Sequence, residues 1–156
     1  MKRVLVTGGS GFVGRNSIRP LLESGYDIHL CLPHGQSEQV IDCTDLMIHR
    51  CDLLDHFQTA DLVKKVRPSH LLHFAWYAEH GEFWSHPDNV RWVQAGIELV
   101  RSFATYGGQR ITCVGSCAEY DWAHGFCSET VTPLNPQTLY GECKNCLLYT
   151  SDAADE

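Results

Sequence analysis

Eight residues near the amino terminus, Thr7-Gly8-Gly9-Ser10-Gly11-Phe12-Val13-Gly14, constrain this chain more than any others. They follow a short β-branched run, Arg3–Thr7, and precede apolar residues at helical spacing, Ile18, Leu21 and Leu22. In such a turn Gly8 permits the tight reversal, and Gly11 lets the backbone approach a pyrophosphate. Gly14 lets the helix lie close against the sheet. The start of the helix then offers N–H groups and the positive end of its dipole to phosphate oxygens. A plain Gly-rich turn is the alternative, but the strand before and the helix after point to dinucleotide binding by residues 7–14.

The same alternation runs through the rest of the chain. Strands are predicted at Asp27–Leu32, 46–49, 71–75 and 110–114, and helices from Gly11, over His56–Val66, over 88–106 and from about Thr138. Leu62, Val63 and Val66 mark the inner face of the second helix. Val90, Val93, Ile97, Val100 and Ala104 mark that of the third. Pro20 inside the first helix removes one ladder hydrogen bond and predicts a kink. Near-continuous apolar strands argue for a parallel sheet covered on both faces. Right-handed crossovers then lead to an α/β, Rossmann-type doubly wound sheet of about five strands.

Composition narrows the partners. A net charge of −7 without a Lys/Arg-rich run disfavours nucleic acid and anionic membranes. No apolar stretch reaches membrane-spanning length, and Lys2-Arg3 followed at once by a strand is not a signal peptide, so a cytoplasmic protein is expected. Eight scattered cysteines then stay reduced, those in apolar runs such as Cys31 and Cys113 acting as small hydrophobes. Cys143-x-x-Cys146 lacks a second pair at ligand spacing, and no metal site is expected.

The end of the second strand bears on the cofactor. Enzymes that use NAD place a carboxylate there to bond the ribose 2′-hydroxyl. Here that place is Leu32, followed by Pro33-His34-Gly35. Nothing would repel a 2′-phosphate, and Arg15 or His34 could approach it, so NADP is slightly favoured within an NAD(P) reading.

Tyr140 and Lys144 stand at i and i+4, on one helix face. A phenol ordinarily ionises near pH ~10, too high for a base at neutral pH. An ammonium fixed ~4 Å from a phenol favours its ionised form by roughly 4 kcal/mol at an effective dielectric of 20. Such a pair can exchange a proton with a substrate hydroxyl or ketone. Ser116 ends the fifth strand, at the carboxyl edge where ligands bind in these folds, and its hydroxyl suits holding a substrate oxygen beside Tyr140.

The spacing Thr-Gly-Gly-x-Gly-x-x-Gly, the run Gly115-Ser116-Cys117-Ala118-Glu119-Tyr120 and the Tyr140-x-x-x-Lys144 pair resemble the extended short-chain dehydrogenase/reductases. Within them, the layout is similar to the nucleotide-sugar epimerases of the NAD(P)-dependent epimerase/dehydratase family, over residues 1–145. The resemblance implies a catalytic trio of Ser116, Tyr140 and Lys144, the last two also lying against the cofactor. It implies that His73-Phe74-Ala75 line the cofactor, that Asn89 at the start of the following helix does so too, and that Asp52-Leu53 meet the adenine. An Asp that merely ends a strand is the other reading of Asp52. The implied substrate is a nucleotide-activated sugar, oxidised and reduced at one carbon to give 4-epimerisation or 4-ketoreduction. The implied assembly is a homodimer of the full-length parent, through the helices at 88–106 and from 138.

Departures from the family pattern carry information. Sugar 4,6-dehydratases resemble this layout but carry Asp-Glu after the hydroxyl residue, where this chain has Cys117 and Ala118, so elimination of water is disfavoured. Glu119, displaced by one, suits either a substrate contact or a solvated loop carboxylate. The aromatic stretch from Trp76 to Trp84 suits either a sugar nucleotide or packing and dimer contacts. His80, His86 and His124 read as surface or loop residues. Residues 146–156 resemble the translation of a transposon adapter used in preparing sequencing libraries, the alternative being an acidic helix end. On the adapter reading, residues 1–145 are an incomplete dinucleotide-binding domain whose C-terminal substrate region is missing. The chain alone then behaves as a non-catalytic dinucleotide-binding module.

Overall fold

A computed structural model describes residues 2–36 and 46–152, the last four by backbone alone. Cys43 and residues 153–156 of the tail lie outside the described residues. The chain divides into two units, one of residues 1–75 and 98–114, the other of residues 76–97 and 115–156.

The first unit holds the sheet. Its strands are β1 (Arg3–Thr7), β2 (Asp27–Leu32), β3 (Met47–Arg50), β4 (His70–His73) and β5 (Arg110–Cys113). All pair in parallel, in the order β3-β2-β1-β4-β5. This is the doubly wound, Rossmann-type arrangement expected from the sequence. The last two strands end slightly before their predicted limits. Beyond them one further bond each continues the pairing, from Phe74 N–H to Thr7 O (3.0 Å) and from Val114 N–H to His73 O (3.1 Å).

Strand alternation sorts the core. Val4, Val6, Ile28, Leu30 and Leu32 are buried on one face with Ile18 of α1 (Arg15–Glu23), and Leu21 and Leu22 pack against them. Leu5, Cys31 and Leu71, on the opposite face, are buried as well. Burial on both faces is what an all-parallel sheet needs, and each such side chain contributes about 1.5–3 kcal/mol. Helix α1 begins at Arg15 rather than Gly11. Residues 11–14 form a turn with mixed bonding, Gly11 N–H on Gly8 O, Arg15 N–H on Gly11 O, Asn16 N–H on Val13 O and Ser17 N–H on Gly14 O. From there α1 runs continuously through Pro20.

Helix α2 (His56–Val66) has the predicted limits and buries Leu62, Val63 and Val66. Asp55 caps it, its carboxylate accepting Phe57 N–H (2.9 Å) and Gln58 N–H (3.2 Å). Beneath the sheet edge, His29 and His49 stack with centroids 5.0 Å apart and share a hydrogen bond of 2.8 Å. Burial lowers the pKa of both imidazoles.

Helix α3 (Asp88–Thr105) spans both units, and its buried stripe differs from the predicted one. Ala95, Leu99, Val100 and Phe103 are buried, whereas Val90 is 49% and Ile97 38% exposed. Small and polar residues at the buried positions, including Asn89, Gly96 and Ser102, hide the true stripe from a count of apolar residues.

In the second unit, the predicted loop 115–136 carries two 3-10 turns, Cys117–Glu119 and Trp122–His124, and an antiparallel bridge between Tyr120 and Leu134. Helix α4 (Leu139–Asp152) lies directly on the first turn. A Cβ on Gly141 would collide with Ala118 O and stand 3.0 Å from Pro136 Cβ. Leu147, within the tail, is buried, and a Cβ on Gly96 would stand 2.8 Å from its Cδ1. Cys31, Cys51, Cys113, Cys117, Cys127, Cys143 and Cys146 are free thiols. Among the described residues no helix is long and apolar enough to cross a membrane, and no group of three or more His, Cys, Asp or Glu could hold a metal ion.

Candidate active site

The glycine turn of the first unit is built around Gly8, whose φ of +68° a side chain would strain. A Cβ there would come within 2.5 Å of Ala75 N and 2.7 Å of Phe74 C, so residues 74 and 75 press directly on the turn. Thr7 and His73 tie the same place together, Thr7 Oγ1 and His73 Nδ1 lying 2.7 Å apart and buried. The sequence assigned close helix-sheet packing to Gly14. Its nearest neighbours are instead Gly8 O and Gly9 Cα within the turn, and Gly9 is the glycine that meets the sheet, at Leu30 and Val6. Ser10 is half-buried, while Gly11, Phe12 and Val13 lie on the exposed rim, with the Arg15 guanidinium 5.4 Å from the Phe12 ring centre.

Gly14 is the N-cap of helix α1, which has no side-chain cap and no acidic residue in its first turn. An uncapped, acid-free helix start behind a turn with no room for a Cβ at Gly8 or Gly14 fits the pyrophosphate of a dinucleotide.

Other predicted cofactor positions differ in what they offer. Leu32 is fully buried, so the end of β2 presents no polar side chain. His34 shares a hydrogen bond with Gln58 (3.1 Å), and Arg50, a residue the sequence reading missed, donates to the carbonyls of Pro33 (3.1 Å) and Gln36 (2.6 Å). Asp52 is exposed, its carboxylate accepting Leu54 N–H at 3.0 Å, and Leu53 is buried beside it.

The second unit brings Tyr140 and Lys144 together. Lys144 Nζ lies 4.4 Å from the centre of the Trp76 ring, and the Tyr140 ring meets the same indole edge-on at 6.4 Å. Two side chains that reach one ring share a helix face, as the i, i+4 spacing requires. Tyr140 is further enclosed by edge contacts to Phe83 (4.9 Å) and Trp84 (5.9 Å), and its N–H donates to Trp84 O. Of the two readings of the aromatic stretch, the packing one is realised here, around Tyr140.

Ser116 precedes the first 3-10 turn, and its Oγ accepts Ala118 N–H at 3.2 Å, leaving the hydroxyl hydrogen to donate. Glu119 is neither solvated nor turned outward. It is 2% exposed, and Oε1 accepts Ser116 N–H at 2.6 Å in a reciprocal capping box. Burial pushes its carboxyl up, against the opposing pull of the Ser116 N–H and the charge of Lys144. The signal was legible, since Ser116-x-x-Glu119 is the capping-box spacing. Asn89 is completely buried. Its Oδ1 accepts the Trp76 indole N–H (2.8 Å) and its amide donates to Phe83 O (2.7 Å) and His86 O (2.9 Å).

Comparison with known proteins agrees with this architecture. The model of the NAD dependent epimerase/dehydratase family matches residues 4–155. The dTDP-6-deoxy-L-talose 4-dehydrogenase (NAD(+)) of Aggregatibacter actinomycetemcomitans is 28% identical over 145 residues, 92% of this chain and 52% of that protein. The UDP-Glc/GlcNAc 4-epimerase of Campylobacter jejuni superposes with a TM-score of 0.86 at 20% identity, over 99% of this chain and 49% of that one. The Bordetella bronchiseptica enzyme WbmG, in complex with NAD and UDP, gives 0.81 at 22% identity, over 98% and 50%. The chain spans about half the length of these relatives, and the two structural likenesses concern the fold alone. With its five-stranded sheet, its glycine turn and a family match over almost its whole length, the chain belongs to the NAD dependent epimerase/dehydratase family.

Proposed function

We propose that the full-length protein oxidises and reduces one carbon of a nucleotide-activated sugar with NAD(P), as a 4-epimerase or a 4-ketoreductase. The observation that carries this reading is the convergence of Tyr140 and Lys144 on a single indole, on one face of α4. Residues 7–14 hold the pyrophosphate, and His73, Phe74 and Ala75 back the turn. When bound, the nicotinamide supplies the hydride acceptor and donor. Tyr140 passes the proton of the sugar hydroxyl, Lys144 supports that transfer from the same helix face, and the Ser116 hydroxyl donates to the substrate oxygen. Asp52 with Leu53 at the adenine, and Asn89 near the cofactor, remain part of this reading through the family resemblance. Cys117 and Ala118 offer no acid-base pair for eliminating water, which supports hydride exchange over dehydration. The buried Leu32 at the end of β2 supports a slight preference for NADP.

Residues 146–156 are read as foreign adapter sequence, with the sugar pocket in the parent beyond Asn145. The chain as it stands is then a dinucleotide-binding module without turnover. The two reactions separate in one assay of the full-length protein with UDP- and dTDP-sugars. Sustained conversion without added cofactor identifies an epimerase, and stoichiometric consumption of reduced cofactor identifies a reductase. No conversion of any nucleotide sugar under either condition would refute both.

A further inference from the structure

Lys144 is only 7% exposed, and a buried ammonium needs compensation from its surroundings. The indole face of Trp76 supplies part of it at 4.4 Å, and the charge of Glu119 acts on the same group. The indole is itself fixed, because its N–H donates to Asn89 Oδ1 at 2.8 Å. Asn89 has one workable orientation. Its NH2 lies against two carbonyls, Phe83 O and His86 O, so turning the amide over would set oxygen against oxygen and leave the indole N–H without an acceptor. Trp92 lies against the indole as well, with centroids 6.3 Å apart.

We propose that Trp76 is a positioning residue for the proton-transfer pair: its face seats the Lys144 ammonium, its ring packs nearly at right angles to the Tyr140 ring, and Asn89 locks it in place. The proposal rests on the function proposed above for Tyr140 and Lys144, and it gives Asn89 a task that needs no contact with the cofactor.

Two readouts keep this proposal separate from that reading. The chain holds four lysines, Lys2, Lys64, Lys65 and Lys144, and the first three are exposed. In protein labelled with 13C at lysine Cε, the Lys144 signal is displaced upfield by the indole ring current, away from the other three. Trp76→Leu returns it to their position, and Trp76→Phe, which keeps a ring face, retains part of the displacement. In the full-length protein, Trp76→Leu lowers kcat by about 10- to 100-fold, in line with misplacement of a catalytic group, while KM stays within about twofold. Trp76→Phe restores most of the loss. Should Trp76→Leu not fold, the Phe variant alone decides, through a reduced displacement and an intermediate kcat. Four coincident lysine signals in the unsubstituted protein, or full kcat in Trp76→Leu, would overturn the proposal. A displaced Lys144 signal in a protein that converts no nucleotide sugar would instead count against the proposed function alone.

Discussion

At the scale of single residues, Glu119 shows how burial changes what a side chain is for. Its carboxylate accepts the Ser116 N–H and so fixes the residue whose hydroxyl faces substrate in the proposed mechanism. Gln keeps an acceptor for that N–H, whereas Ala leaves it unsatisfied in a buried place. Glu119→Ala is therefore expected to cost about 1–3 kcal/mol more than Glu119→Gln in denaturant unfolding. Equal losses would remove the capping role. From sequence Glu119 suits a substrate contact or a solvated carboxylate, while its Ser-x-x-Glu spacing carries the capping role that the fold realises. Trp76 was harder to read. A cation held on a ring face leaves no spacing pattern, because residue 76 meets residue 144 only through the folded chain. Tyr140 and Lys144 were legible because both lie on one helix, where spacing alone fixes their shared face.

At the scale of elements, the first glycine turn makes the sharpest demand. Gly8→Ala places a Cβ at φ +68° against the backbone of Phe74 and Ala75. A side chain in that conformation costs roughly 1–2 kcal/mol before any clash. The variant is expected to lose dinucleotide binding in a fluorescence titration, and unchanged affinity would contradict the proposed cradle. The edge of the sheet offers a pH test. Burial holds the His29 and His49 imidazoles below the ordinary value of 6.5, so the unfolded chain binds protons that the folded chain does not. Stability is therefore fully present above about pH 6.5 and declines as the pH falls through the window beneath it. The melting temperature should drop between pH 7 and pH 5.5, and His29→Phe, which keeps the ring stack, should flatten that slope. Parallel slopes would show that other groups carry the acid sensitivity. Strand positions came through from sequence because apolar runs bounded by glycine and proline mark them well. The inner stripe of α3 did not, because Asn89, Gly96 and Ser102 are buried along with Leu99, Val100 and Phe103, while the apolar Val90 and Ile97 are exposed.

At the scale of the whole molecule, the doubly wound parallel sheet and the family were legible in the glycine turn and the alternation of elements. The sugar and the choice between epimerisation and reduction were not, and the chain spans about half the length of its relatives. Exposed Val90 and Ile97 on α3 suit the homodimer that the family resemblance implies. Light scattering should find a dimer that Ile97→Glu disrupts, and a monomer in the unsubstituted protein would remove that proposal. The 156-residue chain itself should bind a dinucleotide without turning over any sugar nucleotide.

The central claim is proton transfer by Tyr140 beside Lys144, and one comparison tests it directly. Full-length protein and its Tyr140→Phe variant are assayed on the same panel of UDP- and dTDP-sugars, with dinucleotide affinity measured in parallel. The account predicts that Tyr140→Phe lowers turnover by about 10²- to 10⁴-fold with the dinucleotide still bound. Turnover within a factor of about two of the unsubstituted enzyme, far outside that range, would contradict it.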